Sequence, residues 1–226
     1  VEPDAAITGA DVVILAVPDT AVGAVAAGLV PKLAAGTIVV ILDAAAPHAG
    51  HLPERADITY FVTHPCHPPI FNDETDMAAK ADHFGGIAAK QHIVNALMQG
   101  PEAHYAVGEE VARAIWAPVM RSHRVTVEQM AILEPGLSET VCATLLDAMR
   151  EAMEEAIARG VPREAARDFL LGHMNILAAV TFGEVQGVFS DACNKAIVFG
   201  KETILRPDWK RLFEPQEIAD SVRRIT

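Results

Sequence analysis

An apolar run at residues 12–17 constrains the fold of this chain more than any other part of the sequence. A helical pattern over residues 19–36 follows it, and a second apolar run occupies residues 37–42. Apolar runs without alternation are typical of strands that are buried on both faces of a parallel sheet. Two such strands joined by one helix through short connections predict a right-handed βαβ unit.

The strand patterns end at about residue 127, and helical patterns follow. We predict further strands at 58–63, 92–98 and 121–127, a helix at 102–117, and a loop at 65–86. Apolar residues then recur every four positions from Leu137 to Ile157, and Pro162 suits the first position of another helix. The sequence therefore predicts an α/β protein with two domains. Residues 1–127 form a domain built on part of a parallel sheet, and residues 128–226 form an all-α domain.

The first strand begins within a dozen residues of Val1, although a buried strand normally has neighbours on both sides. We therefore expect that a further segment of the sheet precedes this sequence.

Composition restricts the partners. The 226 residues contain 18 Lys and Arg against 30 Asp and Glu, a net charge of −12, which argues against binding to nucleic acid or an anionic membrane. The apolar stretches are shorter than the ~18 residues of a membrane span. Three widely spaced cysteines are typical of a reduced compartment. We expect a cytoplasmic protein.

The predicted strand ends carry the candidate cofactor site, because ligands of open parallel sheets bind at the carboxyl edge. The residues there that we expect to contact a cofactor are Ala16, Val17, Pro18, Asp19 and Asp43. Asp19 or Thr20 would cap the helix whose positive end faces that edge.

Two histidines, one cysteine and three prolines crowd the end of the third strand, residues 63–69. His64 has the side chain of a general acid or base for a substrate hydroxyl. His64 and His67 could equally be metal ligands, or belong to a rigid proline loop without a chemical role. No second cysteine stands at ligand spacing, so we interpret Cys66 as structural.

Three further residues are candidates. Pro135 and Gly136 interrupt the helical pattern, so Glu134 could turn inward and hold a divalent cation with His64 or His173. Lys90 could bind a substrate carboxylate. Each also has an ordinary structural interpretation: Glu134 and Lys90 as solvated surface charges, and His173 as a core residue.

Residues 10–19, ADVVILAVPD, resemble the fourth Rossmann strand of the β-hydroxyacid, 6-phosphogluconate and prephenate dehydrogenases. This resemblance implies the nicotinamide half of an NAD site, with the glycine-rich phosphate loop upstream. His64-Pro65 matches the His-Pro pair of the prephenate dehydrogenases, although Cys66-His67-Pro68 replaces the small residues that usually follow. The catalytic lysine of the hydroxyacid dehydrogenases is missing, because the position four residues after Gly136 is Thr140.

As a whole, the chain resembles the NAD-dependent oxidoreductases with a phosphogluconate-dehydrogenase-like C-terminal domain, the D-apionate oxidoisomerase family among them. The segments that carry this resemblance are the His-rich loop and residues 121–135, RSHRVTVEQMAILEP. The resemblance implies that residues 1–127 are part of a Rossmann-type NAD-binding domain and residues 128–226 a substrate and dimerisation domain. It further implies oxidation of a branched sugar acid by NAD, coupled to a rearrangement, in a homodimer with interlocked helical domains. It also implies a divalent metal ion in the cleft.

Our leading hypothesis is an NAD-dependent oxidoreductase that acts on a small hydroxy or sugar acid, with His64 as acid/base. The alternatives are a prephenate-dehydrogenase-like or β-hydroxyacid dehydrogenase, and, in a different class, a non-catalytic dimerisation or regulatory module.

Overall fold

The computed structural model describes residues 3–226, and the expectation about the sequence around Val1 therefore lies outside the described residues. The chain divides into two compact units. The first contains the residues up to Leu137 together with Pro215–Thr226, and the second is Ser138–Glu214.

A five-stranded sheet forms the centre of the first unit, with the strands in sequence order. The strands are β1 (Val12–Leu15), β2 (Ile38–Ile41), β3 (Thr59–Pro65), β4 (Gln91–Gln99) and β5 (Val119–Arg124). The α/β class predicted from the sequence is confirmed.

The direction of β4 differs from the prediction of a parallel sheet. Strands β1, β2 and β3 are parallel, β4 is antiparallel to β3, and β5 is parallel to β4. A parallel neighbour requires a crossover of a dozen or more residues, usually a long helix. Between β3 and β4 the chain forms one five-residue helix, Met77–Ala81, and re-enters the sheet at the edge where it left.

The helices of the described chain are mostly short in the first unit and long in the second. They are α1 (Pro3–Ile7), α2 (Asp19–Leu29), α3 (Ala45–His48), α4 (Met77–Ala81), α5 (Ala103–Ile115), α6 (Val127–Ala131), α7 (Thr144–Ala158), α8 (Arg163–Thr181), α9 (Asp191–Ile204) and α10 (Pro215–Ile225).

Helices cover both faces of the sheet. Val22 and Ala26 of α2 pack on one face with β1 and β2, and Met130 of α6 packs further along that face. Ala112 of α5 packs on the opposite face against Phe61. Strands β2 and β3 are therefore buried on both faces, as their apolar sequences predict, whereas β5 is largely exposed.

Two details of α2 differ from the sequence prediction. The helix is shorter than residues 19–36, because it changes into a 3₁₀ turn at Val30–Lys32, where Pro31 cannot continue the α-helical hydrogen bonds. The residue at the N-cap is Pro18, so Asp19 is the first helical residue, and neither Asp19 nor Thr20 caps the helix.

A capping box between Thr126 and Gln129 starts α6, and a π-helical segment, Ile132–Ala143, follows directly. Pro135 lies inside this segment and lacks the N–H that a regular helix would use. Wide π turns accommodate such a residue and are frequent at functional sites.

The boundary between the units differs from the predicted division at residues 127 and 128. Residues 128–137 belong to the first unit, and so does α10. The reason is packing, because Ile218 and Val222 of α10 form a buried cluster with Ala45 and Ala131.

Within residues 3–226, no helix has both the length and the hydrophobicity that crossing a membrane would require.

Candidate active site

The carboxyl ends of β2 and β3 place Asp43 beside His64. Ile41 of β2 pairs with Val62 of β3 in the parallel register. Asp43 and His64 each follow two residues later, so they lie side by side. Glu134 reaches the same point from the π-helical segment. The irregular helix around Pro135 therefore turns Glu134 toward the strand ends rather than toward solvent, as the sequence suggested.

Short distances join these three side chains. The Nδ1 atom of His64 lies 2.9 Å from Oε2 of Glu134, 3.0 Å from the carbonyl oxygen of Leu42, and 3.7 Å from Oδ2 of Asp43. All three side chains are largely buried, with 21% of His64, 15% of Asp43 and 17% of Glu134 exposed. The backbone N–H of Ala45 donates to Oδ1 of Asp43 at 2.6 Å, which fixes that carboxylate at the start of α3.

Crowding of the acids perturbs their protonation. Burial, followed by the hydrogen bond and charge of Glu134, raises the pKa of Asp43 from 3.8 to about 6. Burial and then the neighbouring Asp43 also raise the pKa of Asp19. Closely packed carboxylates hold a proton between them because two adjacent negative charges are unfavourable away from water.

His64 is affected in the opposite way. Burial lowers its pKa, but the hydrogen bond and charge of Glu134, the Leu42 carbonyl and the charge of Asp43 together raise it above the ordinary value. A proton on Nδ1 is shared between the Leu42 carbonyl and Glu134, so Nε2 is the ring nitrogen that can exchange a proton with a ligand.

A cleft of about 230 Å³ contains the site. Its lining combines residues predicted for the cofactor with those predicted for acid/base chemistry or metal binding: Leu15, Val17, Pro18, Asp19, Val22, Leu42, Asp43, His64 and Glu134. Ala16 is exposed and does not line the cleft.

The donor atoms of Asp43, His64 and Glu134 all lie within 4.8 Å of one another, which is the spacing of a metal-binding group. Two carboxylate oxygens and one imidazole nitrogen suit a divalent cation. A cation would also relieve the repulsion between the two acids, so the residues fit such an ion. From the sequence, Asp43 was predicted to contact the cofactor alone. Because Asp43 follows β2 at the same height in the sheet as His64 in β3, its position already suggested that it could share a metal ion with His64.

His67 and Lys90, which the sequence suggested for the site, lie apart from this group. Nδ1 of His67 lies 2.8 Å from the carbonyl oxygen of Phe84, and the His67 ring is 6.1 Å from that of His64. Nζ of Lys90 lies 3.4 Å from Oδ1 of Asp73, within the loop before β4.

His173 belongs to α8 of the second unit. Its ring stacks on Phe169 with 4.0 Å between the centroids, and its Nδ1 lies 2.8 Å from the carbonyl oxygen of the same residue.

Comparison with known proteins places the chain in a family. Residues 72–226 match the phosphogluconate dehydrogenase (decarboxylating) C-terminal family. The chain is 74% identical over 223 residues to a D-apionate oxidoisomerase from Rhizobium rhizogenes, covering 99% of this chain and 81% of that protein. It is 43% identical over 209 residues to a D-apionate oxidoisomerase from Pectobacterium atrosepticum, covering 92% of this chain and 73% of that protein.

Solved structures agree with this relationship. A Cupriavidus necator protein, described as a semialdehyde dehydrogenase NAD-binding protein in complex with calcium and NAD, superimposes with a TM-score of 0.98. It is 65% identical, and the match covers 100% of this chain and 82% of that chain. An NADH-preferring ketol-acid reductoisomerase shares the fold alone, at 19% identity and a TM-score of 0.62 over 98% of this chain and 65% of that one. By sequence identity over nearly its whole length, this chain belongs to the D-apionate oxidoisomerase family, whose C-terminal part is of the phosphogluconate dehydrogenase type.

Proposed function

We propose that this protein is an NAD-dependent oxidoreductase that oxidises and rearranges the sugar acid D-apionate. The observation that carries the proposal is the group of Asp43, His64 and Glu134 at the strand ends of a chain 74% identical to an enzyme of that name. The group supplies a base and a cation site at one point, and both suit the oxidation of a hydroxyl beside a carboxylate.

The cofactor site follows from the cleft lining. Val17 and Pro18 lie between β1 and α2, where backbone and small apolar surface meet the positive end of a helix. We assign this strip, with Asp19, to the nicotinamide part of NAD. NAD, when bound, supplies the hydride acceptor.

His64 acts as the acid/base. With its Nδ1 proton held by the Leu42 carbonyl and Glu134, its Nε2 accepts the proton of the substrate hydroxyl and later returns it. The raised pKa makes the neutral imidazole a stronger proton acceptor.

Of the three donors, we assign Asp43 and Glu134 to the cation and His64 to proton transfer, because Nδ1 of His64 is held by the Leu42 carbonyl and Glu134. The oxygens of the two acids lie close together beside His64, and the pKa of about 6 for Asp43 indicates that the pair without a cation retains a proton below about pH 6. A divalent cation, when bound, supplies a charge that lowers the pKa of a hydroxyl and polarises a carbonyl. His67 lies outside this donor set in our assignment.

The test uses the full-length protein with D-apionate and NAD, and follows NADH by absorbance and the product by NMR. His64→Asn should lower kcat about 10²–10⁴-fold. His67→Asn, in the same loop, is the matched control and should retain activity. A wild-type protein that produces no NADH from D-apionate overturns the proposal, and activity with prephenate instead would support the alternative dehydrogenase.

Calorimetric titration with Mg²⁺, Mn²⁺ and Ca²⁺ tests which side chains bind the cation and whether His64 is one of them. Asp43→Asn and Glu134→Gln should abolish binding of the divalent cation, whereas His64→Asn should preserve it. If His64→Asn abolishes binding as well, His64 is a metal ligand and the base has to be found elsewhere.

We further propose that the active form is a homodimer. Within residues 138–214 the only buried residue is Ala179, and large apolar side chains remain exposed on α8 and α9, such as Phe169 and Phe199. An apolar groove of about 590 Å³ runs along α7 and α8. Helices of this kind bury their apolar faces against other helices, and the matching helices of a second copy supply such a surface.

Light scattering coupled to gel filtration tests the dimer. Phe169→Asp, in the groove, should convert the protein into monomers, whereas Arg167→Ala, two residues away and outside the groove lining, should not. A monomeric wild-type protein at micromolar concentration contradicts the proposal.

We also propose that the protein is cytoplasmic and does not bind nucleic acid. Its three cysteines are free thiols, and its net charge is −12. Cell fractionation and a DNA-binding titration at low salt are direct tests.

A further inference from the structure

A second group of polar side chains lies at the same edge of the sheet as His64. It consists of His92, at the start of β4, and of Arg121 and His123 on β5. We refer to these three residues as the basic cluster.

The strand register places the basic cluster on the same face of the sheet as His64. His64 pairs with Val94, which in turn pairs with His123, and His92 pairs with Arg121. Side chains of paired residues point to the same face, as do those two positions apart on one strand.

The cluster is also within reach of the reaction centre. The backbone N–H of Cys66 donates to the carbonyl oxygen of His92 at 2.9 Å, which ties the loop after His64 to the start of β4. From the strand spacing and the rise per residue, the Cα atoms of His64 and Arg121 are roughly 12 Å apart. Both side chains leave the sheet on the same face, so a sugar acid that lies along this face can reach from one to the other.

The basic cluster carries positive charge without a matching acid. Among residues 3–226, Arg121 has no carboxylate within salt-bridge distance. Arg124, three residues later, differs: its guanidinium pairs with Glu102 and lies 4.2 Å from the centre of the Tyr105 ring on the opposite face of the sheet.

The two histidines of the cluster lie beside this charge. The His92 ring lies 5.9 Å from that of His123, and the buried Nδ1 atom of His92 has no hydrogen-bond partner among the described residues. Burial, followed by the charges of Arg121 and His123, lowers the pKa of His92. In a chain with a net charge of −12, an uncompensated basic group at this edge suits an anion.

We infer that the basic cluster binds the carboxylate of the acid substrate, with Arg121 as the main contact and His92 and His123 beside it. The inference rests on the proposed function. The planar guanidinium matches a carboxylate with two parallel hydrogen bonds. Lys90, the residue that the sequence suggested for this role, is directed to Asp73 instead.

The experiment compares Arg121→Gln, Arg121→Lys and the matched control Arg124→Gln in steady-state kinetics with D-apionate and in calorimetric binding of D-apionate. A charge-assisted hydrogen bond corresponds to about 10–100-fold in affinity. Arg121→Gln should therefore raise KM and Kd by about that factor with a smaller change in kcat. Arg121→Lys should recover part of the loss, and Arg124→Gln should leave both constants within about twofold of wild type.

The outcomes separate this inference from the proposed function. Wild-type turnover of D-apionate with an unchanged KM in Arg121→Gln overturns the basic cluster as the carboxylate site and leaves the proposed function intact. An equal loss in Arg121→Gln and Arg124→Gln also overturns it, because such a loss would be a general effect of altering β5. Absence of turnover in the wild-type protein overturns both.

Discussion

Replacing Asp43 by asparagine should stabilise the metal-free protein at alkaline pH, although it removes a residue of the proposed cation site. Folding raises the pKa of Asp43 from 3.8 to about 6, chiefly through burial and then through Glu134. Each pKa unit corresponds to about 1.36 kcal/mol. The ionised carboxylate therefore destabilises the folded state by at most about 3 kcal/mol.

The pH dependence has a definite sign. As the pH rises from 4, Asp43 loses its proton in the unfolded chain before it does so in the folded one. The free energy of unfolding of the wild type therefore falls between about pH 4 and pH 6 and stays lower above that window. The side chain introduced by Asp43→Asn has no charge to lose, and its amide oxygen can still accept the 2.6 Å hydrogen bond from the Ala45 N–H.

Calorimetric melting in the presence of a chelator provides the assay. For a chain of this size, about 3 kcal/mol corresponds to a Tm increase of roughly 6–12 °C at pH 8, and the gain should vanish near pH 4. Adding Mg²⁺ or Ca²⁺ should raise the Tm of the wild type and leave Asp43→Asn unchanged. The control is Asp57→Asn. Because Arg55 lowers the pKa of Asp57 through a hydrogen bond, this variant should lose stability instead.

An Asp43→Asn protein that is no more stable than wild type at pH 8 without metal would show that the ionised carboxylate does not destabilise the folded state. A gain of equal size at pH 4 would show the same, because the effect would then come from packing and not from the charge.

Three further predictions concern the base, the core and the loop before β4. Glu134→Gln removes the main group that raises the pKa of His64, so the acidic limb of the pH profile of kcat/KM should move to lower pH. Gly108→Ala would place a Cβ closer to the Phe61 ring than van der Waals contact allows, and chemical denaturation should show a loss of about 1–3 kcal/mol. Asp82 accepts hydrogen bonds from four backbone N–H groups of the loop that follows it, and these bonds lower its pKa. Asp82→Ala should therefore lower the Tm at neutral pH, with the difference from wild type shrinking as the pH falls below the lowered pKa of Asp82.

The sequence predicted the elements of the sheet and most of the site for a definite physical reason. Buried strands are apolar throughout, and polar residues directly after them mark the functional edge, so Asp43 and His64 could be located by counting. Glu134 could be found because Pro135 cannot continue a regular helix.

Packing partners could not be predicted in this way. The pattern of α10 shows an apolar face with Ile218 and Val222, but it does not specify the surface that this face covers. The return of α10 to the first unit depends on contacts between residues far apart in sequence. The same limit applies to His67 and Lys90, whose contacts are with Phe84 and Asp73 of the intervening loop.

The direction of β4 explains why the sequence did not point to the basic cluster. In a fully parallel sheet the carboxyl ends of all strands lie at the functional edge. This rule therefore predicts functional residues directly after each strand. Because β4 is antiparallel to β3 and β5 follows the direction of β4, their amino ends meet the carboxyl ends of β1, β2 and β3. His92 and Arg121 lie near those amino ends, so the reversal of one strand places two basic side chains at the edge that holds His64. Had β4 been parallel, both side chains would lie at the opposite edge, and the acid substrate would then lack a basic partner on that side of the cleft.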